Sequence, residues 1–356
     1  MKLKHRPEDF LVEERLRPGR VGEAGPHAVY RIRKSGFSTL EVSMRLAKEA
    51  GVGLERVRVC GWKDRRAVAV QHASLEGGPP ISIEEPGLSV ETIGRASAPA
   101  RSDWIEANAF SILLRDLGPE DLAALDRNLP DVRAEGLPNL FDDQRFGAAR
   151  AGKGWPMAEF LRGDVERALL LLVATPGAND PPEVAARKGF FRSSWGRFER
   201  CAESAAGWHE RSLFEHLVRR PRDFRGALRF VPRPERLVQA LAFQAWIWNR
   251  CAVRLVGSIV ARGRVGSLPT ELGSLPFWRG PTEEETLRLS TVELPLVGRG
   301  PLSGASDPVI AEVLAEERLS LERVRARGVR GFELRVERRS FVLRPDRLEA
   351  APPQPD

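Results

Sequence analysis

The segment Gly61-Trp62-Lys63-Asp64-Arg65-Arg66-Ala67 places one carboxylate among three cationic side chains. Neighbouring positive charge favours the ionised form, which suits a nucleophile or a base better than an acid. In isolation, a Lys-Asp pair in a loop is most often a turn or a surface ion pair. A second segment, Asn139-Leu140-Phe141-Asp142-Asp143-Gln144-Arg145-Phe146-Gly147, mixes amide, aromatic and guanidinium groups. Amides read the edge of a base, aromatics stack on its face, and a guanidinium such as Arg145 holds a phosphate. The bland alternative for Phe141 and Phe146 is that they anchor a turn in the core. A third segment, Lys4-His5-Arg6-Pro7-Glu8-Asp9-Phe10, ends on an aromatic that opens a strand.

The bulk composition agrees with a polyanionic partner. The 356 residues carry 56 Lys+Arg against 49 Asp+Glu, a formal charge of +7, and 42% are hydrophobic. Such a chain can bury a core, and its basic excess favours nucleic acid. The densest basic tract runs Arg219-Arg220-Pro221-Arg222 with Arg225, Arg229, Arg233 and Arg236, and a second contains Arg323, Arg325, Arg327 and Arg330. RNA affinity is expected from these arginines. Cys60, Cys201 and Cys251 are odd in number and have no metal-ligand spacing, which argues against a disulfide framework or a zinc ribbon. A metal-dependent nuclease needs clustered ligands. Asp142 and Asp143 are adjacent, and His27, His72, His209 and His216 are scattered, so no metal is expected. The N-terminus has no apolar signal region. Polar residues interrupt the apolar stretch Leu237 to Ala261, which reads as a buried amphipathic helix rather than a membrane span. A cytoplasmic protein is expected.

Several elements must position these groups. Phe10 to Glu14 and His27 to Lys34 read as strands by their period of two. Ser38-Thr39-Leu40-Glu41 is a capping box that opens a helix, and Gly51 can close it. Val57 to Cys60 and Ala67 to Leu75 are strands flanking the Asp64 loop. Asn108 to Arg115 is a further strand, and Pro119 begins a helix. From about residue 164 helices are expected to dominate as far as Leu343. The fold class is α+β with a mixed, largely antiparallel sheet followed by a mostly helical part.

Taken together, the three chemical segments resemble the TruD family of tRNA pseudouridine synthases. The Lys-x-x-Pro-Glu-Asp-Phe start is matched at Lys4, Pro7, Glu8, Asp9 and Phe10, and the Gly-x-Lys-Asp block at Gly61, Lys63, Asp64, Ala67 and Gln71. The Asn-Tyr-Phe-Gly-x-Gln-Arg-Phe-Gly block is matched at Asn139, Phe141, Gln144, Arg145, Phe146 and Gly147. Lesser matches are Thr39, Asn108-Ala109-Phe110, Trp248-Asn249 and Leu294-Pro295-Leu296-x-Gly298. Ala69 stands where the family usually has Thr, Leu140 and Asp142 where it has Tyr and Gly, and Asp103 and Ala107 where it has Gly.

The resemblance implies a pseudouridine synthase catalytic domain over 1–164, to which 346–356 can return, and an inserted TRUD-type helical domain over 165–345. It implies isomerisation of uridine, usually uridine 13 of tRNA, with Asp64 as the catalytic carboxylate and no cofactor. Phe10, Asn139, Phe141, Lys4 and Arg145 become substrate-binding candidates, and a monomer is favoured. Family members continue past the segment resembling Arg338 to Pro345 into a strand and a Gly-Ser-Phe/Tyr-Ala-Thr block, which supplies a further aromatic. Here Ala350-Ala351-Pro352-Pro353-Gln354-Pro355-Asp356 follows instead. The alternative is therefore a catalytically impaired RNA-binding or RNA-chaperone protein on the same scaffold.

Overall fold

Strand-forming residues crowd the first third of the chain, and a computed structural model places them in one sheet. The structure describes residues 1–146, 154–177, 180–300, 306–325 and 328–352; Gly147, Arg327 and the end of the tail from 353 lie outside the described residues. The chain divides into compact units at 1–126 and 127–356.

In the first unit, β1 (Lys2–Leu3) precedes β2 (Phe10–Leu16), β3 (His27–Lys34), the helix α1 (Thr39–Glu49), β4 (Val57–Val59) and β5 (Val68–Glu76). Then come β6 (Ser82–Glu85), β7 (Leu88–Ala96), β8 (Ile105–Ile112) and β9 (Leu114–Arg115). The main sheet has the order β6-β7-β3-β5-β2-β8, with β4 also on β5. Its pairings are antiparallel except β2 with β5, which run parallel with Leu11 opposite Val68. The sheet is thus mixed and largely antiparallel, as expected. Helix α1 starts on the Ser38/Glu41 capping box. It buries Val42, Leu46 and Ala47 against Tyr30, Ile32, Leu75 and Leu88 of the sheet, each large apolar side chain contributing about 1.5–3 kcal/mol. The chain leaves α1 through Gly51 at φ +65°, a conformation that glycine adopts without a Cβ clash.

The second unit is organised on the helix Arg233–Ile259, whose Phe243, Ile247, Trp248, Cys251 and Val256 lie in the largest core cluster. Met157, Phe160 and Leu161 share that core with Phe332 and Phe341. The strand β10 (Leu137–Pro138) pairs with β13 (Val342–Leu343) in the same unit. Helices do not fill the remainder: β11 (Val265–Thr270) and β12 (Gly273–Trp278) form a ribbon. The second part is mostly helical, as expected, and this ribbon is an element not singled out from the sequence. Pro269 and Pro276 lie inside those strands, and proline within a run hides a strand from pattern reading.

Among the described residues, no helix is long and apolar enough to cross a membrane.

Candidate active site

The Asp64 loop is built by the sharing of one strand edge. β5 pairs with β4 through Ala73 to Leu75 and with β2 through Val68 to Val70. The loop between β4 and β5 must therefore return beside the first residues of β2. That is where Phe10 stands, with Leu11 next to it opposite Val68.

Buried polar side chains fix this loop from below. Lys34 is 1% exposed. Its ammonium donates to the carbonyls of Phe37 at 2.9 Å, Lys63 at 3.2 Å and Asp64 at 2.7 Å. Burial pushes its pKa down to about 8, since a desolvated ammonium is disfavoured. Three carbonyl acceptors offset part of that cost. The Thr39 hydroxyl accepts from the Lys63 N–H at 3.0 Å and donates to Gln71 Oε1 at 3.0 Å. Lys63 itself turns inward to Glu14, with Nζ to Oε1 at 2.6 Å. Glu14 Oε2 accepts the His72 backbone N–H at 2.8 Å. Thr39, Lys63 and Gln71, which the resemblance also matched, belong to this clamp with Lys34 and Glu14.

One cation at Asp64 comes from outside its sequence neighbours. Lys63 is held by Glu14, and Arg65 faces Glu41 at 3.6 Å and donates Nε to the Gly36 carbonyl at 2.7 Å. Lys4, sixty positions away, reaches Asp64 Oδ2 at 3.1 Å. The same ammonium lies 3.9 Å from the centroid of the Phe10 ring, a cation–π distance. Phe10 in turn packs on Phe110 with centroids 5.8 Å apart. Lys4 has φ +52°, a left-handed conformation that costs a non-glycine residue energy and tends to persist at functional sites. Asp9 explains how the N-terminal segment tolerates that strain. It is 1% exposed and takes Arg115 bidentately, with Nε to Oδ2 at 2.9 Å and Nη2 to Oδ1 at 2.8 Å. The Arg6 N–H adds a third bond at 3.0 Å. Arg115 holds the Asp9 carboxyl down at about 2.

So Lys4, Phe10 and Asp64 come together in the first unit. The Asp64 side chain remains 47% exposed. An ionised carboxylate beside an ammonium and an aromatic face can attack or deprotonate a sugar carbon while the ring supports a base.

Asn139, Phe141 and Arg145 belong to the second unit, and there the picture differs. The Asn139 Nδ2 donates to the Ser340 carbonyl at 2.9 Å, and its Oδ1 accepts from Arg339 Nη2 at 2.6 Å. An amide has two N–H groups and two lone pairs, so one of each is left over after these bonds. Phe141 packs edge-on against Trp248 at 5.9 Å. Its backbone is gripped at both ends by Asn249, which accepts from the Phe141 N–H at 3.0 Å and donates to its carbonyl at 2.7 Å. The Arg339 guanidinium lies 3.9 Å from the Phe141 ring centroid and that of Arg145 lies 5.1 Å from it. Burial first, and the Arg145 charge second, bring the Arg339 pKa down to about 10. Phe146 is 5% exposed and packs on Trp155, which is the anchoring role foreseen for it.

Arg339 was not anticipated as a site residue, although it sits within the quoted Arg338 to Pro345 segment. Trp248-Asn249 and Leu294 to Gly298 also acquire physical reasons. Trp248 Nε1 donates to the Leu294 carbonyl at 3.1 Å. A Cβ on Gly298 would fall within 2.3 Å of the Arg335 backbone, so no larger residue fits.

A sequence model of the family described as tRNA pseudouridine synthase D (TruD) matches residues 1–262. The chain belongs to the TruD family. A relative from Methanocaldococcus jannaschii, named "Probable tRNA pseudouridine synthase D 2", is 28% identical over 350 residues, 96% of this chain and 82% of its own. "Probable tRNA pseudouridine synthase D 1" of Methanococcus maripaludis is 25% identical over 328 residues, covering 90% of this chain and 83% of its own. A solved TruD structure from Methanosarcina mazei matches with a TM-score of 0.67 at 24% identity, over 96% of this chain and 84% of that one. This last likeness is one of fold. The TruD-type α+β architecture is thereby established for the described residues.

Proposed function

We propose that this chain is a tRNA pseudouridine synthase that isomerises uridine, at position 13 of tRNA, with Asp64 as the reacting carboxylate. Family membership and the names of the relatives support the reaction class. The observation that carries the residue assignment is the Lys4–Asp64 pair beside Phe10, at 3.1 Å and 3.9 Å.

The target base must first leave its stack, at a cost of a few kcal/mol. Stacking on an aromatic such as Phe10 returns roughly 1–3 kcal/mol per base. The ionised Asp64 then promotes rupture of the C1′–N1 bond, by attack at C1′ or by removal of a sugar proton. The freed uracil turns, C5 bonds to C1′, the C5 proton departs and N1 is protonated. Atoms and electrons balance without a redox partner. Lys4 pairs with Asp64 beside the Phe10 ring. Asn139, through its remaining N–H and lone pair, and Arg145, through its exposed guanidinium, contact substrate. Phe141 supports them as a packed ring.

The test is pseudouridine mapping in a tRNA transcript carrying uridine 13, against a transcript with cytidine there. Product confined to position 13 is the expected result. RNA binding without product at any position would replace the enzyme with an RNA-binding protein.

A further inference from the structure

The helix Trp208–Arg219 ends in Arg219-Arg220-Pro221-Arg222, where Pro221 prevents continuation. The chain turns at Asp223, whose Oδ1 accepts the Gly226 N–H at 2.8 Å and whose Oδ2 meets His216 Nε2 at 2.9 Å. A short turn over Leu228–Phe230 then brings Arg229 and Phe230 back beside the helix end. The result is a cavity of about 620 Å³ lined by His216, Arg219, Arg220, Arg229 and Phe230. A neighbouring cavity of about 360 Å³ is lined by Asp223, Arg225, Gly226, Arg229, Gly328, Val329 and Arg330. Arg229 belongs to both.

The charge here is one-sided. Among the described residues, Arg219, Arg220, Arg229 and Arg330 have no carboxylate within ion-pair distance, and all are exposed. The lining carboxylate, Asp223, is already engaged by His216 and the Gly226 N–H. Guanidinium groups that outnumber the carboxylates beside them repel one another, and an anion between them relieves that repulsion. Their planar forks match phosphate oxygens bidentately. The Phe230 and His216 rings, 5.5 Å apart between centroids, add an aromatic wall on which a base can lie. Two cavities joined by a shared arginine suit a chain of phosphates better than one small anion.

We propose that these joined cavities form a phosphate-backbone site of the second unit, which takes a run of the RNA substrate at a position the chemistry does not use. The proposal deepens the RNA reading and rests on RNA being the substrate. It also sorts the basic tract found by sequence. Arg219, Arg220, Arg225 and Arg229 line the site, whereas Arg236 is 7% exposed and buried in the fold.

The experiment measures tRNA affinity of the full chain against salt concentration, for wild type, the Arg219→Ala/Arg229→Ala double variant and the Arg219→Lys/Arg229→Lys control. Each lost phosphate contact lowers the slope of log K against log salt by somewhat less than one. The Ala variant should lose about one to two in slope and roughly ten-fold in affinity at moderate salt, with the Lys control between it and wild type. Its single-turnover rate at saturating tRNA should stay within two-fold of wild type. Unchanged affinity and slope in the Ala variant would overturn the site while leaving the enzyme reading intact. Stoichiometric binding of inorganic phosphate that leaves tRNA affinity untouched would also overturn it. Arginine-dependent binding by a wild type that makes no product would keep the site and remove the enzyme reading.

Discussion

The Asp64 loop of the first unit and the Asn139–Phe146 segment of the second are both held by side-chain-to-backbone hydrogen bonds, but their candidate side chains are spent differently. Around Asp64 the clamping groups are other residues: Lys34, Thr39 and Glu14 grip the loop or its lysine from below. The Asp64 carboxylate, paired with Lys4, still faces outward. In the second segment one candidate, Asn139, spends its own side chain on the clamp, while Phe141 is held by its neighbours. Asn139 joins Arg339 and Ser340, and Phe141 is fixed by Asn249 and Trp248. A loop clamped by its surroundings presents a reactive group at fixed geometry, as proximity catalysis requires. A segment whose amide is already bonded and whose ring is already packed presents a rigid surface with less left over for a ligand.

Three substitutions and one titration probe that contrast. The largest effect is expected for Lys34→Met, which removes all three carbonyl contacts beneath the loop. Displacement of the carboxylate by about 1 Å can cost on the order of 10²-fold in rate. Single-turnover rates should therefore fall about that much with tRNA affinity unchanged; a rate within three-fold of wild type would show that the clamp does not position Asp64. Next is Asn249→Ala, which leaves the Phe141 N–H and carbonyl without their partner. Unsatisfied buried polar groups cost about 1–3 kcal/mol each, so denaturant unfolding should show a loss of at least about 2 kcal/mol. A loss below about 0.5 kcal/mol would mean that the second segment does not depend on that grip.

A smaller gain is expected at Ala69, where the family usually has Thr. Gln71 Nε2 is buried without a hydrogen-bond partner among the described residues, and position 69 lies on the same face of β5, two residues away. A hydroxyl there can accept from it, so Ala69→Thr should stabilise by about 1 kcal/mol. Destabilisation on melting would show that the strand has no room.

The smallest effect at neutral pH concerns the Asp9–Arg115 pair. The Asp9 carboxyl lies near 2 in the fold against 3.8 ordinarily. A lowered folded value means that its stabilisation is fully present above about 3.8 and is lost as pH falls through about 2. Amide exchange in β1 and β9 should accelerate across that window in wild type, whereas an Arg115→Met variant should exchange fast already at pH 5. Slow exchange in that variant would detach the ion pair from the N-terminal anchor.

Much of the first unit, and the long helix of the second, was legible. The capping box at Ser38, the strands around Asp64 and the long helix follow from period and cap chemistry. The clamp was legible too, had one rule been applied. Ala28, Tyr30, Ile32 and Lys34 share one register of β3, and Phe10, Val12 and Glu14 share one of β2. A charged residue in an apolar register must be hydrogen-bonded if it is buried, which marks Lys34 and Glu14. What no local pattern contained was the partner of each. Lys4 with Asp64, Asn249 with Phe141 and Arg339 with Asn139 span 60 to 200 positions, and hydrogen bonds to backbone carbonyls leave no residue-type trace on the accepting side. The ribbon at Val265–Trp278 was hidden by its prolines.

The most direct test of the account is the single-turnover formation of pseudouridine by Asp64→Asn at saturating tRNA, with affinity measured alongside. The substitution keeps the size of the side chain and removes its charge. The account predicts unchanged tRNA affinity with no product above background. Product at a rate approaching that of wild type would contradict it.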